Sequence, residues 1–274
     1  MGRFQILCVT MNQTDFSKIE EMNIQSDVVF ANQTLDAEYR EFCFNGKIAK
    51  MISTNTRGVG INRNLALLYA DSDICLLADD DIEYYNGLED KVLSEFDRCP
   101  DADVIIFHLD TDVKERELVK YSKTRAVRKF DRKPWGAVRI AFKLESVRRA
   151  NVWFSTMFGG GAKYPCGEDS VWIEETLRRG LKYYVSKETI GFVSCKESTW
   201  FTGFDEKRFF AAGALYAALY PNTTWLWKVY FALRTYGKGQ LTFIQKIRWI
   251  QNGIYGYKHN LSFDEIAKNG IYSK

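Results

Sequence analysis

The residues Ile74-Cys75-Leu76-Leu77-Ala78 read as a buried strand, and the chain then places Asp79, Asp80 and Asp81 in succession. Carboxylates this close repel one another unless a cation or a positively charged partner lies among them. Hard divalent ions such as Mg²⁺ and Mn²⁺ take oxygen ligands and are commonly shared with substrate phosphates. An acid-ended strand therefore suggests a metal beside a phosphorylated ligand, against the plainer reading of a solvated loop. A second pair of acids, Glu168 and Asp169, follows Gly167 at the head of an amphipathic segment. Acids in a first helical turn cap free N–H groups and suit the helix dipole. A carboxylate in that position can equally take a proton from an attacking hydroxyl. Between the two acidic groups, Gly58-Val59-Gly60-Ile61-Asn62-Arg63-Asn64 is a glycine-containing turn that opens a helix, with Arg63 in its first turn. Helix N-termini favour anions, but the spacing matches neither GxxxxGK[ST] nor GxGxxG.

These groups need a scaffold, and the first hundred residues supply alternating strand and helix signals. Strands are expected at Phe4–Thr10, Asp27–Ala31, Ile48–Ser53, Asp73–Ala78 and Asp103–His108, with helices at Phe16–Met22, from Gly58 to Tyr69, and at Leu88–Cys99. Such alternation implies a mostly parallel sheet covered on both faces, with ligands bound beyond the carboxyl ends of its strands. Thr10, Asn32, Ser53 and Asp79 fall at or just after those ends. Beyond Asp110 the alternation weakens: Thr111–Lys133 reads as a charged surface excursion. A strand at Ala137–Lys143, a short helix at Leu144–Ala150 and the helix that begins near Glu168 follow. Two short strands come next, Lys182–Ser186 and Thr189–Ser194. From Asp205 onward the pattern is helical: Glu206–Tyr220, Thr223–Tyr236, Leu241–Tyr257 and Ser262–Asn269.

Composition narrows the class. With 274 residues, 46% hydrophobic and 27% charged, the chain is an ordinary globular protein. Only His108 and His259 are present, which excludes a histidine-rich zinc site and leaves any metal to carboxylates. The six cysteines are widely spaced, with no CxxC pair, and read as free thiols. The N-terminus lacks the apolar core and cleavage site of a signal peptide. Charge is unevenly spread. Residues 207–263 contain no Asp or Glu and eight Lys or Arg, so +8 lies there and −5 in the rest of a chain whose net charge is +3. That stretch is also rich in Trp, Tyr and Phe, a composition suited to an anionic membrane surface, against the plainer readings of helices packed on the sheet domain with a solvated basic face or of a nucleic-acid surface. No apolar run in it reaches the roughly 18–20 residues needed to span a bilayer.

Taken in order, four motifs resemble those of the family 2 glycosyltransferases. They are a first strand ending near Thr10-Met11-Asn12, the Gly58–Asn64 helix start, the strand Leu76–Asp81 with its DxD-like end, and Gly167-Glu168-Asp169. The resemblance covers about residues 4–200 and implies an α/β, GT-A fold: a Rossmann-like mixed sheet flanked by helices, as a catalytic domain at 1–203 with a helical C-terminal extension at 204–274. It implies a UDP-sugar donor, with Thr10, Asn12 and Asn32 near the base, Arg63 steadying the nucleotide side and Asp79 near the ribose or uracil. Asp80 and Asp81 would hold Mn²⁺ or Mg²⁺. Asp169 would be the catalytic base, with Glu168 shaping the pocket beside it. The acceptor would be a glycan or lipid-linked oligosaccharide in capsule, O-antigen or exopolysaccharide synthesis, at the cytoplasmic face of the membrane. Two departures stand out. Phe30-Ala31-Asn32-Gln33 replaces the acids often found after the second strand, and Cys195–Thr199 replaces a histidine, with Lys196 as a substitute. A nucleotidyltransferase or a non-catalytic nucleotide-sugar-binding protein of similar fold is the alternative reading.

Overall fold

The computed structural model describes residues 2–112, 120–128, 131, 135–194 and 203–269. By internal contacts the chain forms two units: Met1–Ser155 with Trp172–Ser198, and Thr156–Val171 with Thr199–Lys274.

The first unit is built on a mixed sheet. Its strands are β1 (Phe4–Met11), β2 (Asp27–Gln33), β3 (Glu38–Phe44), β4 (Lys47–Thr54), β5 (Ile74–Asp79), β6 (Ile82–Tyr84), β7 (Val104–Thr111), β8 (Arg125–Ala126), β9 (Ile140–Lys143) and β10 (Tyr183–Val193). The order across the sheet is β3-β4-β2-β1-β5-β9-β7-β10-β6, with β8 paired to β10. β4, β2, β1 and β5 run parallel, whereas β9 is antiparallel to both β5 and β7. The central strands are apolar on both sides because helices cover both faces. Successive residues of β1 show the division. Phe4, Ile6 and Cys8 pack with residues of α1 (Lys18–Glu21) and α3 (Leu88–Arg98). Leu7 points the other way, toward α2 (Val59–Tyr69), α4 (Leu144–Ala150) and Trp172 of α5 (Glu168–Arg178).

The register fixes the rim that matters. Thr10 of β1 pairs with Asn32 of β2, Asn32 with Ser53 of β4, and Val9 with Asp79 of β5. The carboxyl ends of four parallel strands thus finish in one row. β1 and β5 are parallel neighbours, so the loops after both strands begin side by side.

The second unit holds α6 (Glu206–Leu219), α7 (Thr224–Arg234), α8 (Phe243–Lys258) and α9 (Phe263–Asn269). Asp205 accepts from the Arg208 N–H at the start of α6, and Thr242 with Gln245 forms a capping box at the start of α8. Gly213 of α6 and Gly253 of α8 let the two helices cross at backbone contact: a Cβ on either would overlap a carbonyl of the other, Ile250 O or Phe210 O. Phe158, Tyr164, Phe209, Phe210, Trp249, Ile250 and Ile254 form the core. Among the described residues no helix is long and apolar enough to cross a membrane.

Several elements differ from the sequence expectation, among them the short strands β6 and β8, which it lacks. β3 lies where no strand is expected, because its residues Glu38–Phe44 are mostly exposed at a sheet edge and carry no alternation of apolar and polar residues. The expected pair of strands at 182–194 is one strand, β10, whose register shifts near Thr189 mark an irregularity rather than a break. The expected strand at 137–143 begins as a 3₁₀ turn, Ala137–Arg139, before β9.

Candidate active site

Three consecutive residues of α2 assemble the rim. Asn62 is buried and donates its amide N–H groups to Thr10 O at 3.3 Å and Ala31 O at 3.0 Å, tying the ends of β1 and β2 to the helix. Arg63, only 2% exposed, pairs with Asp79 at 3.0 Å between Nη2 and Oδ1. Its guanidinium also lies 5.6 Å from the centre of the Phe154 ring. Asn64 clamps the backbone of that same Phe154, accepting from its N–H at 2.7 Å and donating to its carbonyl at 2.9 Å. A glycine at position 60 is required by this packing, since a Cβ there would overlap Ser155 O. Its freedom therefore serves contact with the 154–155 segment.

The acids emerge from β5 into this frame. Asp80 accepts a short hydrogen bond from the Thr10 hydroxyl. Asp81 has its carboxyl pushed up to about 6, first by desolvation and then by the charges of Asp79 and Asp80. Lys18 of α1 contributes a positive charge that acts on Asp80 and Asp81. It bonds Glu21 at 2.7 Å, and its ammonium is stabilised by that bond and by the charge of Asp80. Asn32 is fully buried: its amide donates to Gln13 O at 2.9 Å and Ser53 Oγ at 3.0 Å, and its oxygen accepts from Gln13 N at 3.0 Å. Two of those bonds hold Gln13 in the loop after β1, and the third ties β2 to β4. Asn12, in that loop, is exposed and left-handed, with φ 55°.

Thr10, Asn32, Arg63, Asp79, Asp80 and Asp81 are thus brought together in the first unit. Glu168 and Asp169 belong to the second unit, in the first turn of α5. Glu168 is buried, and Asp169 Oδ1 accepts from the N–H of the next residue, Ser170, at 2.6 Å, while both acids lie in the first turn, where negative charge suits the helix dipole. Gly167 before them sits at φ 108° with Leu215 against its Cα, a place only glycine fills without strain. Lys196 and its neighbours Cys195–Thr199 lie outside the described residues.

The donor set bears on the expected metal. Among the described residues no group of three or more His, Cys, Asp or Glu converges as a metal cage. Asp79 is held by Arg63, which leaves Asp80 and Asp81 as an all-oxygen pair. Mg²⁺ is usually held by one or two carboxylates together with substrate phosphates. The pair fits an ion of that kind, completed by its substrate.

Comparison with known proteins agrees with the architecture. The sequence model of Glycosyl transferase family 2 matches residues 34–155, a stretch that includes Arg63 and Asp79–Asp81. No curated protein matches the chain. Among solved structures, S. aureus TarS 1–349 is similar at 12% identity over 94% of this chain and 73% of that one, with a TM-score of 0.54. The same TarS fragment in complex with UDP-GlcNAc gives 12% identity, 99% and 76% coverage, and a TM-score of 0.54. Its complex with UDP gives 13%, 97% and 77%, and 0.55. The fold is GT-A. At these identities the likeness is one of architecture.

Sequence reasoning missed Asn62, Phe154 and Lys18. Asn62 and Lys18 carry no motif of their own. Phe154 stands some ninety residues from the helix that fixes it, so only tertiary contact reveals it.

Proposed function

We propose that this protein is a metal-dependent, inverting glycosyltransferase that moves a hexose from a UDP-sugar to a hydroxyl of a lipid-linked glycan acceptor, in surface polysaccharide synthesis of the capsule or O-antigen kind. One observation carries the reading: an acid-ended strand whose first carboxylate is fixed by a buried arginine and whose second is bonded to Thr10, at the ligand edge of a GT-A sheet. The crystal forms of TarS with UDP-GlcNAc and with UDP support a UDP-sugar as donor.

In this reading Thr10 and Asn12 border the base, and Asn32 orders the loop that carries Gln13. Asp79, oriented by Arg63, receives the ribose hydroxyls. Asp80 and Asp81 would hold Mn²⁺ or Mg²⁺, which when bound supplies charge neutralisation for the departing diphosphate. Asp169 accepts the proton of the acceptor hydroxyl as that oxygen bonds to the anomeric carbon. The bond from that carbon to the diphosphate breaks on the opposite face, UDP leaves, and configuration inverts. Glu168 lines the pocket beside the base. Positioning and charge stabilisation supply most of the acceleration. The basic, aromatic C-terminal helices would keep the enzyme at the cytoplasmic face of an anionic membrane, near a lipid-linked acceptor.

The test separates catalysis from binding. Asp169→Asn should lower turnover by about 10²- to 10⁴-fold while UDP-sugar binding, measured calorimetrically with Mn²⁺, is retained. Asp80→Ala should weaken that binding far more than Asp169→Asn does, and EDTA should abolish turnover until Mn²⁺ is restored. Unchanged turnover in Asp169→Asn would mean that another group is the base, whereas UDP-sugar binding without turnover in the parent would leave a nucleotide-sugar-binding protein.

A further inference from the structure

Helix α7 presents an unusual surface. Thr224, Ala232 and Thr235 face inward and are buried. On a 100° wheel, Trp225, Val229, Leu233, Leu226 and Tyr230 form one continuous arc of α7, and Tyr236 stands in the turn just beyond the helix end. All six are exposed, from 41% at Val229 to 75% at Tyr236. Arg234 closes one edge of the arc, its guanidinium 3.3 Å from the Tyr230 hydroxyl. Lys238 follows in the next turn of chain, and Ile244, 71% exposed, opens α8 beyond it. A solvent-facing apolar arc of this kind marks an interaction site.

From this surface we propose that α7 is the membrane-docking element, lying flat in the headgroup region of an anionic bilayer with Trp225, Leu226, Val229, Tyr230, Leu233 and Tyr236 inserted. Charge selects the occupant. No carboxylate occurs from Lys207 to Phe263, while eight basic residues do. A second copy docking through the same face would bring two sets of Arg234 and Lys238 together with no carboxylate of 207–263 to meet them, which like-charge repulsion opposes. Nucleic acid would answer the positive charge and could stack on Trp225 or Tyr230, but would leave Leu226, Val229 and Leu233 against phosphate and water. An anionic lipid surface satisfies both halves: headgroups meet Arg234 and Lys238, and the acyl boundary takes the aliphatic residues, with Trp and Tyr at the interface between. The inference does not depend on the donor site; it names the surface by which the proposed enzyme would reach a lipid-linked acceptor.

The full-length chain is mixed with vesicles of phosphatidylcholine and phosphatidylglycerol, and with pure phosphatidylcholine vesicles, and sedimented. Binding to the anionic vesicles alone, weakened by 0.5 M NaCl, is expected. Leu226→Gln with Leu233→Gln should lower the partition by about tenfold or more. Arg234→Glu should lower it less and reduce its salt sensitivity. Both changes are on the exposed face, so circular dichroism and soluble UDP-sugar binding should match the parent. A parent that stays in the supernatant, or a double variant that binds like the parent, overturns the proposal. So does a dimer in sedimentation equilibrium that the double variant dissolves while vesicle binding is unaffected.

Discussion

Asn62, Arg63 and Asn64 each solve a different problem at the head of α2, and their side chains explain why a polar triplet stands where helix interiors are usually apolar. The middle residue carries the largest consequence. A buried guanidinium is tolerable only with a partner, and Arg63 has Asp79 at 3.0 Å and the face of Phe154. Arg63→Ala should cost about 3 kcal/mol, as is typical when one member of a buried pair is removed, and should weaken UDP-sugar binding because Asp79 is no longer held. Arg63→Lys keeps the charge but loses the planar contact, so an intermediate loss is expected. Urea unfolding and calorimetry read the two effects. Weakened binding with unaltered stability would mean that Arg63 acts on the ligand rather than on Asp79. His108 gives a second residue-scale prediction. It is buried in β7, accepts from the Tyr121 N–H at 2.7 Å, and has Arg139 Nη2 3.1 Å from its other ring nitrogen. Burial first, then Arg139 and Lys120, lower its pKa to about 4, with Asp110 opposing. The unfolded chain therefore takes up this proton more readily than the folded one. The neutral ring's contribution is complete above about pH 6.5 and is lost as pH falls toward 4, on the order of 3 kcal/mol across that window. Urea midpoints at pH 7, 5.5 and 4.5 should fall less steeply in His108→Gln than in the parent. Parallel curves would assign the acid sensitivity elsewhere.

At the scale of elements, α7 raises the question of what holds a helix whose outer half is apolar and solvent-facing. The answer lies partly in Lys246 of α8, 1% exposed, whose ammonium donates to Thr235 O at 2.5 Å and Lys238 O at 2.7 Å and sits 5.4 Å over the Phe209 ring. A cation at a helix C-terminus meets free carbonyls and the negative end of the dipole. Lys246→Met keeps the volume and deletes both bonds, so about 2–3 kcal/mol of stability should be lost, with faster amide exchange concentrated in α7 and the 235–240 turn. Exchange that rises evenly over all helices would deny that local role. This lysine also shows where sequence reading stops. The helices of 206–269 are legible from the sequence, as is the acid-ended β5, because each signal is local. Lys246 reads from sequence as one more basic surface residue, and its burial depends on a turn eleven residues away. β3 was hidden for the opposite reason: an edge strand exposed on most of its length has no burial pattern to betray it. Asn32 was legible as a strand-end residue, but not its bonds to Gln13 and Ser53, which the pairing of β2 with β4 creates.

For the molecule as a whole, the consequential fact is where the segment Thr156–Val171 finds its packing partners. Read along the sequence, it continues a catalytic domain at 1–203 and the helices after 204 are an extension. By contacts it groups with those helices. Tyr164 shows why: it is fully buried, its ring lies 6.2 Å from Phe210 and 5.8 Å from Tyr257, and its hydroxyl donates to Gly256 O at 3.1 Å. Phe158 packs on Tyr257 at 5.8 Å, and Leu215 of α6 closes on Gly167, next to the two acids. Removing residues 204–274 would therefore strip the far side from a buried tyrosine, a buried phenylalanine and the turn that presents Glu168 and Asp169. A detachable tail would leave a shorter protein with its Tm unchanged. Here the chain ending at 203 should instead melt lower, expose protease sites between 156 and 171, and lose turnover even with soluble acceptor, while UDP-sugar binding at the β1–β5 rim survives in part. The two arms are read by a thermal melt and by calorimetry on the same truncated protein. Full turnover with an unaltered Tm would show that 156–171 orders without the helices. It would also show that the base assigned to Asp169 needs nothing beyond the sheet domain.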